Sequence, residues 1–146
     1  MNPATAHAES ATPPLIQRLI DDYGYPMLGA ADIDALPADD RVNVLFFTED
    51  PKKYPETLDV AVVLPELVAH YGARLHPVIV ARADEKALQE RYGFAQWPTL
   101  VFLRGRDYLG AISRIQDWHV YLERIDELLT AEPTRPPGVG VPVVGA

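Results

Sequence analysis

Residues 91–103 read RYGFAQWPTLVFL. A helical pattern stops at Tyr92-Gly93, a short connector reaches Trp97-Pro98, and the strand-like run Thr99–Leu103 follows at once. Proline has a fixed φ and no backbone N–H, so Pro98 belongs before the sheet and not inside it. A connector that hands over directly to a strand suits a cis X–Pro bond, although only about one such bond in twenty is cis in folded proteins. A trans proline closing a loop is the ordinary alternative.

Working outward, Tyr108–Ile115 is a second strand candidate, separated from Thr99–Leu103 by RGRD with Gly105 at the bend, which predicts a β-hairpin. Beyond it, Asp117 is placed to cap a final helix whose inner face carries Trp118, Leu122, Ile125, Leu128 and Leu129. On the other side, Asp84 is placed to cap the helix that ends at Gly93. His76–Ala81 is a strand, as is Val42–Thr48 (VNVLFFT), apolar almost throughout as expected when both faces are covered. Between them Val60, Val63, Leu64, Leu67, Val68 and Tyr71 recur at helical spacing. Pro65 lies inside that pattern, so this helix is expected to begin near Pro65 or to kink there. Strand, helix and strand in that order predict a right-handed parallel crossover. Further upstream, Pro13-Pro14 opens a short helix with Leu15, Ile16, Leu19 and Ile20 on one face and Gly24 at its stop. A short strand over Tyr25–Leu28 and a helical turn over Asp32–Leu36 follow.

The order of elements therefore predicts one α/β domain over residues 13–130. Residues 1–12 are Ala-, Thr- and Pro-rich without periodicity and are expected to be disordered. Residues 131–146 are expected to form a flexible Pro/Gly-rich tail whose valines dock weakly if at all.

Composition excludes several functions. The chain has 146 residues and a net charge of −8, which argues against a nucleic-acid surface. The acidic balance would suit a basic partner, but solubility alone also accounts for it. There is no cysteine, which removes disulfides, thiolate catalysis, thiolate zinc sites and cysteine-ligated iron–sulfur clusters together. No apolar run is long enough to span a membrane, and no export signal is legible at the N-terminus, so a cytoplasmic location is expected. His7, His70, His76 and His119 lack metal-ligand spacing. There is no G-x-S-x-G elbow, no phosphate-cradling glycine loop after a strand and no catalytic carboxylate pair. No cofactor, no metal and no enzymatic activity are expected.

The strand ending in VLFF, the motif GFAQWPT at 93–99, the βαβ unit and the closing ββα unit together resemble the thioredoxin fold over roughly Val42–Leu129. The resemblance implies a central mixed sheet flanked by helices and a cis peptide at Pro98. It also locates two departures. Where that family carries C-x-x-C, this chain has the longer loop EDPKKYPETLD (49–59), and Leu45 stands where the family keeps a buried aspartate. Without a thiol to deprotonate, a buried carboxylate would only add a desolvation penalty.

Within that fold, EDPKKYPE, the Y-x-G at Tyr108 and Gly110, and the I-x-x-W at Ile115 and Trp118 resemble the HyaE/HupG/HoxO family. These are cysteine-free, thioredoxin-like accessory proteins for maturation of membrane-bound [NiFe] hydrogenases. The resemblance implies a redox-inactive chaperone whose partner is the hydrogenase small-subunit precursor, including its twin-arginine signal peptide. A scaffold for another partner is the alternative, and a glutathione-dependent enzyme a further one, although transferases of this fold need an added helical domain.

Two candidate features follow. In thioredoxin-like folds the residue before the cis proline leaves its main-chain N–H and C=O unpaired, so an extended peptide can add there as a strand. Trp97, ahead of Pro98, is that residue, and its indole could cover an apolar guest side chain. Equally, Trp97 could pack into the domain and guard the edge. Glu49, Asp50, Glu56 and Asp59 flank the loop and could form bidentate pairs with signal-peptide arginines. Lys52 and Lys53 dilute that patch, and a solvated polar loop is the more ordinary reading.

Overall fold

The computed structural model describes residues 12–137. The expected disorder of residues 1–12 therefore lies outside the described residues, Thr12 excepted, as do the tail residues 138–146. Helix α1 spans Pro14–Asp21, strand β1 Met27–Leu28, and helix α2 Ala30–Asp34. Strand β2 covers Val42–Phe47, helix α3 Glu56–Tyr71 and strand β3 His76–Val80. Helix α4 spans Glu85–Tyr92, strands β4 and β5 span Thr99–Arg104 and Asp107–Ser113, and helix α5 closes the domain at Trp118–Thr130.

The five strands form one mixed sheet in the order β1-β3-β2-β4-β5. Strand β3 runs parallel to both β1 and β2, while β2/β4 and β4/β5 are antiparallel. This is the expected thioredoxin-like arrangement. Every residue of β2 is buried, because alternate side chains enter two separate cores. Val44 and Phe46 join Leu64 and Leu67 of α3 and Tyr121, Ile125 and Leu128 of α5. Leu45 and Phe47 join Ile33 of α2, Leu88 and Tyr92 of α4, and Phe94. Asn43, the one polar residue in the run, donates Nδ2–H to the Gly105 carbonyl at 2.9 Å.

Several boundaries differ from the sequence expectation. Helix α3 starts at Glu56, directly after Pro55, and runs without interruption through Pro65. Pro65 is buried, so its ring packs with the helix's apolar side while one backbone hydrogen bond is forgone. Helix α2 begins at Ala30, because Asp32 accepts the Gly29 N–H at 3.0 Å and Asp84 accepts the Ala30 N–H at 2.7 Å. Asp84 thus ties α2 to α4 and makes no side-chain cap on its own helix. Asp117 likewise makes none. Trp118 stands outside the core, 42% exposed, with His70 edge-on at 5.9 Å between ring centres. Residues 131–137, expected as the start of a mobile tail, lie against the domain. Arg104 Nη2 holds the carbonyls of Leu129 and Ala131, and the Thr134 N–H donates to the Tyr108 carbonyl at 2.8 Å. Among the described residues, no helix is long and apolar enough to cross a membrane.

Gly105 is the hairpin position that tolerates no side chain. Its φ is +63°, and a methyl there would stand 2.9 Å from the Asp39 carbonyl oxygen. Gly105→Ala is expected to destabilise the domain by about 2 kcal/mol, from left-handed strain and this close approach. A differential scan should show that loss as a drop of roughly 5 °C in Tm. An unchanged Tm would show that the hairpin and the Asp39 segment shift freely.

Candidate peptide-binding cleft

The cleft arises where β4 begins. The Trp97-Pro98 peptide is cis, as the resemblance implied. The main-chain carbonyls on either side of Trp97 are paired. The Gln96 carbonyl accepts the Thr99 hydroxyl at 2.6 Å, and the Pro98 carbonyl accepts the Arg114 N–H at 2.7 Å. Among the described residues, neither the N–H nor the C=O of Trp97 itself has a hydrogen-bond partner. Polar main-chain groups in folded proteins are rarely left unmatched unless water or a ligand meets them.

The Trp97 side chain packs into the domain and also borders a cleft. The half-buried indole packs edge-on against Phe94 and Phe47, with ring centres 5.0 and 6.2 Å away, and Tyr54 lies 6.3 Å off. Its remaining surface borders an open cleft of about 380 Å³, walled by Lys53, Tyr54 and Glu56 on one side and by Gln96, Trp97 and Arg114 on the other.

Loop 49–55 supplies the first wall and is held from below. Glu85, at the start of α4, is buried, and its carboxylate accepts the Glu49 N–H at 2.9 Å and the Thr48 hydroxyl at 3.3 Å. Arg82 stands 3.7 Å from the same carboxylate and 3.5 Å from that of Glu49. Burial outweighs these partners and pushes the Glu85 carboxyl up to about 7. From the helix side, the Thr57 hydroxyl donates to the Thr48 carbonyl at 2.6 Å. Within the loop, the Asp50 carboxylate accepts the Lys52 N–H and its carbonyl accepts the N–H groups of Lys53 and Tyr54, a turn built on Asp50.

Arg114 supplies the second wall and was not singled out by sequence. It adopts φ +67°, an unusual conformation for a residue with a side chain. Three contacts hold it there: its N–H reaches Pro98, its carbonyl accepts the Tyr121 hydroxyl at 3.2 Å, and its guanidinium clamps Glu56. That clamp is bidentate, with Nε and Nη2 at 3.0 and 2.7 Å from the two carboxylate oxygens. The Ile115 N–H adds a third donor at 2.9 Å. The Arg114 hydrogen bonds, then the Ile115 N–H, hold the Glu56 carboxyl down at about 2.

Of the residues singled out by sequence, Trp97 and Glu56 line this cleft, and Pro98 sits buried beside it. Glu49 and Asp50 do not line it, and their carboxylates accept the Asp50 and Lys52 N–H groups. Asp59 is exposed on the first turn of α3, away from the lining. Glu85, adjacent to Asp84, reads as an ordinary helix end, and nothing local in the sequence signals its burial. Among the described residues, no group of three or more His, Asp or Glu side chains is placed to hold a metal ion.

Residues 15–121 match the family described as hydrogenase-1 expression protein HyaE. Hydrogenase expression/formation protein HoxO of Azotobacter vinelandii is 53% identical over 119 residues, covering 82% of this chain and 80% of that protein. Hydrogenase expression/formation protein HupG of Bradyrhizobium diazoefficiens is 44% identical over 117 residues, covering 80% of this chain and 76% of that one. A crystal structure described as hydrogenase expression/formation protein HupG from Rhodopseudomonas palustris aligns with a TM-score of 0.51 at 37% identity. It covers 71% of this chain and 94% of that one.

Proposed function

The chain belongs to the HyaE family of hydrogenase expression proteins, and from that premise we propose that it is a thioredoxin-like chaperone of hydrogenase maturation that captures the small-subunit precursor in the cytoplasm. With no cysteine, capture is non-covalent and involves no redox step. The observation that supports this reading is that the N–H and C=O of Trp97 have no partner among the described residues, between two paired carbonyls, in a residue that lines a cleft of about 380 Å³. An extended segment of the precursor pairs with that N–H and C=O, and the indole covers one of its apolar side chains.

The twin-arginine signal peptide is one candidate segment, with Glu49, Asp50, Glu56 and Asp59 as its carboxylate partners. Glu56 is already clamped by Arg114, and Glu49 and Asp50 accept backbone N–H groups, which leaves Asp59 with no partner among the described residues. Main-chain pairing therefore carries more of the affinity than the arginines do.

Calorimetric titration with the full precursor, with the precursor lacking its signal peptide, and with a Lys-Lys version of the signal sequence tests this at two salt concentrations. The expected result is binding by the full precursor that survives the Lys-Lys change and varies little with salt. Loss of binding with the Lys-Lys version would shift recognition to the carboxylates. Absence of binding by any form, confirmed by pull-down, would remove the precursor as the partner.

A further inference from the structure

Resting on the strand-addition reading above, we infer that the cleft selects an extended segment carrying one carboxylate side chain, placed to meet Arg114 and Lys53 beside the residue that pairs with Trp97. The charge inventory of the walls leads there. Glu56 is the cleft's one carboxylate, and both its oxygens are occupied, Oε1 by Arg114 Nε and the Ile115 N–H and Oε2 by Arg114 Nη2. Arg114 uses Nε and Nη2 on Glu56, and among the described residues its Nη1 has no partner, while its side chain is 49% exposed. Lys53 is exposed and forms no ion pair among the described residues. The cleft thus offers two cationic donors and no acceptor charge in need of a cation. A guest lysine or arginine would meet a carboxylate whose charge Arg114 already offsets and which already accepts three hydrogen bonds.

Position supports the same conclusion. The Arg114 N–H is bound to the Pro98 carbonyl, one peptide beyond Trp97, so a strand paired with Trp97 runs past the Arg114 guanidinium. Side chains two apart on an extended guest share a face about 7 Å apart, within reach of a long guanidinium. One can then rest on the Trp97 and Tyr54 rings while its neighbour on that face meets Arg114. The whole chain carries −8, and its field opposes the approach of a strongly acidic peptide. The fitting guest is therefore a neutral or mildly basic extended segment with a single Asp or Glu in register.

Three blocked ten-residue peptides of alternating Ser and Val, identical except for Glu, Gln or Lys at one central outward position, test this by calorimetry. The expected order is Glu, then Gln, then Lys, with Glu about five-fold tighter than Gln. Lys53→Gln leaves the Arg114–Glu56 pair intact and should reduce that preference. Arg114→Gln, verified as folded by its thermal melt, should abolish it. Equal affinities for all three peptides overturn the charge selectivity and leave strand addition standing, and tighter binding of the Lys peptide overturns it by reversal. If none of the peptides binds, the strand-addition reading falls and this inference falls with it.

Discussion

Trp97→Ala is expected to weaken capture of the partner by about 30-fold, the loss typical of an aromatic anchor at the centre of an interface. Main-chain pairing survives the substitution, so the loss measures the cover the indole gives to a guest side chain. The domain should remain folded, although the indole's contacts with Phe47, Phe94 and Tyr54 are also removed. Truncating a half-buried Trp there should reduce stability by about 2 kcal/mol, visible in a melt. Trp97→Phe, which keeps a ring against Phe94, should recover most of both losses. Unchanged affinity in a folded Trp97→Ala protein would remove this residue from the interface.

Glu85→Gln is expected to stabilise the domain at neutral and alkaline pH. The Glu85 carboxyl titrates near 7 in the folded chain against an ordinary value of 4.5. Below the ordinary value both states hold the proton and burial has no ionic penalty. Between about 4.5 and about 7 the unfolded chain ionises while the folded one resists, so wild-type stability declines and then levels off. The gap corresponds to about 3 kcal/mol, since each tenfold difference in proton affinity is about 1.4 kcal/mol. Glutamine can still accept the Glu49 N–H and carries no charge. Melts of the two proteins should coincide near pH 4 and separate by about 8 °C above pH 7, with the variant higher. A separation independent of pH would mean that Glu85 binds its proton equally well in the folded and unfolded chain, so that burial does not shift it. Glu56 acts in the opposite sense. Its folded value near 2 stabilises the domain above its ordinary range, and that contribution is lost as the pH falls toward 2.

The fold was legible because its central signals are local. A buried run such as Val42–Phe47, a helical stripe and a proline ahead of a strand each state their structure within a few residues. Boundaries failed where a distant contact decided them. Pro65 reads as a helix start or a kink, yet the helix starts at Glu56 and continues past a buried Pro65. Trp118 falls on the inner face by helical spacing, but as the first residue of α5 it turns out toward His70. The cleft was half legible. Trp97 and Pro98 follow from the motif, whereas Arg114 depends on a left-handed conformation that no residue pattern announces. Glu85 depends on a loop 36 residues away folding back onto it. The carboxylates of Glu49 and Asp50 are acidic in the sequence, but local N–H groups already occupy them.

The web beneath loop 49–55 has a kinetic consequence. Glu85 and Arg82 hold the loop at Glu49, Thr57 holds it at Thr48, and the turn at Asp50 fixes Lys53 and Tyr54. If the cleft captures a guest as proposed, a wall assembled beforehand requires no rearrangement on encounter, and association is expected at the ordinary docking rate of about 10⁵–10⁷ M⁻¹s⁻¹. Little ordering entropy is lost at that moment. With no thiol in the chain, no covalent bond to the guest has to be broken on departure. Under the proposed function, the hand-over of a client to the next assembly step would then need no reductant, only its dissociation or competition for the same segment.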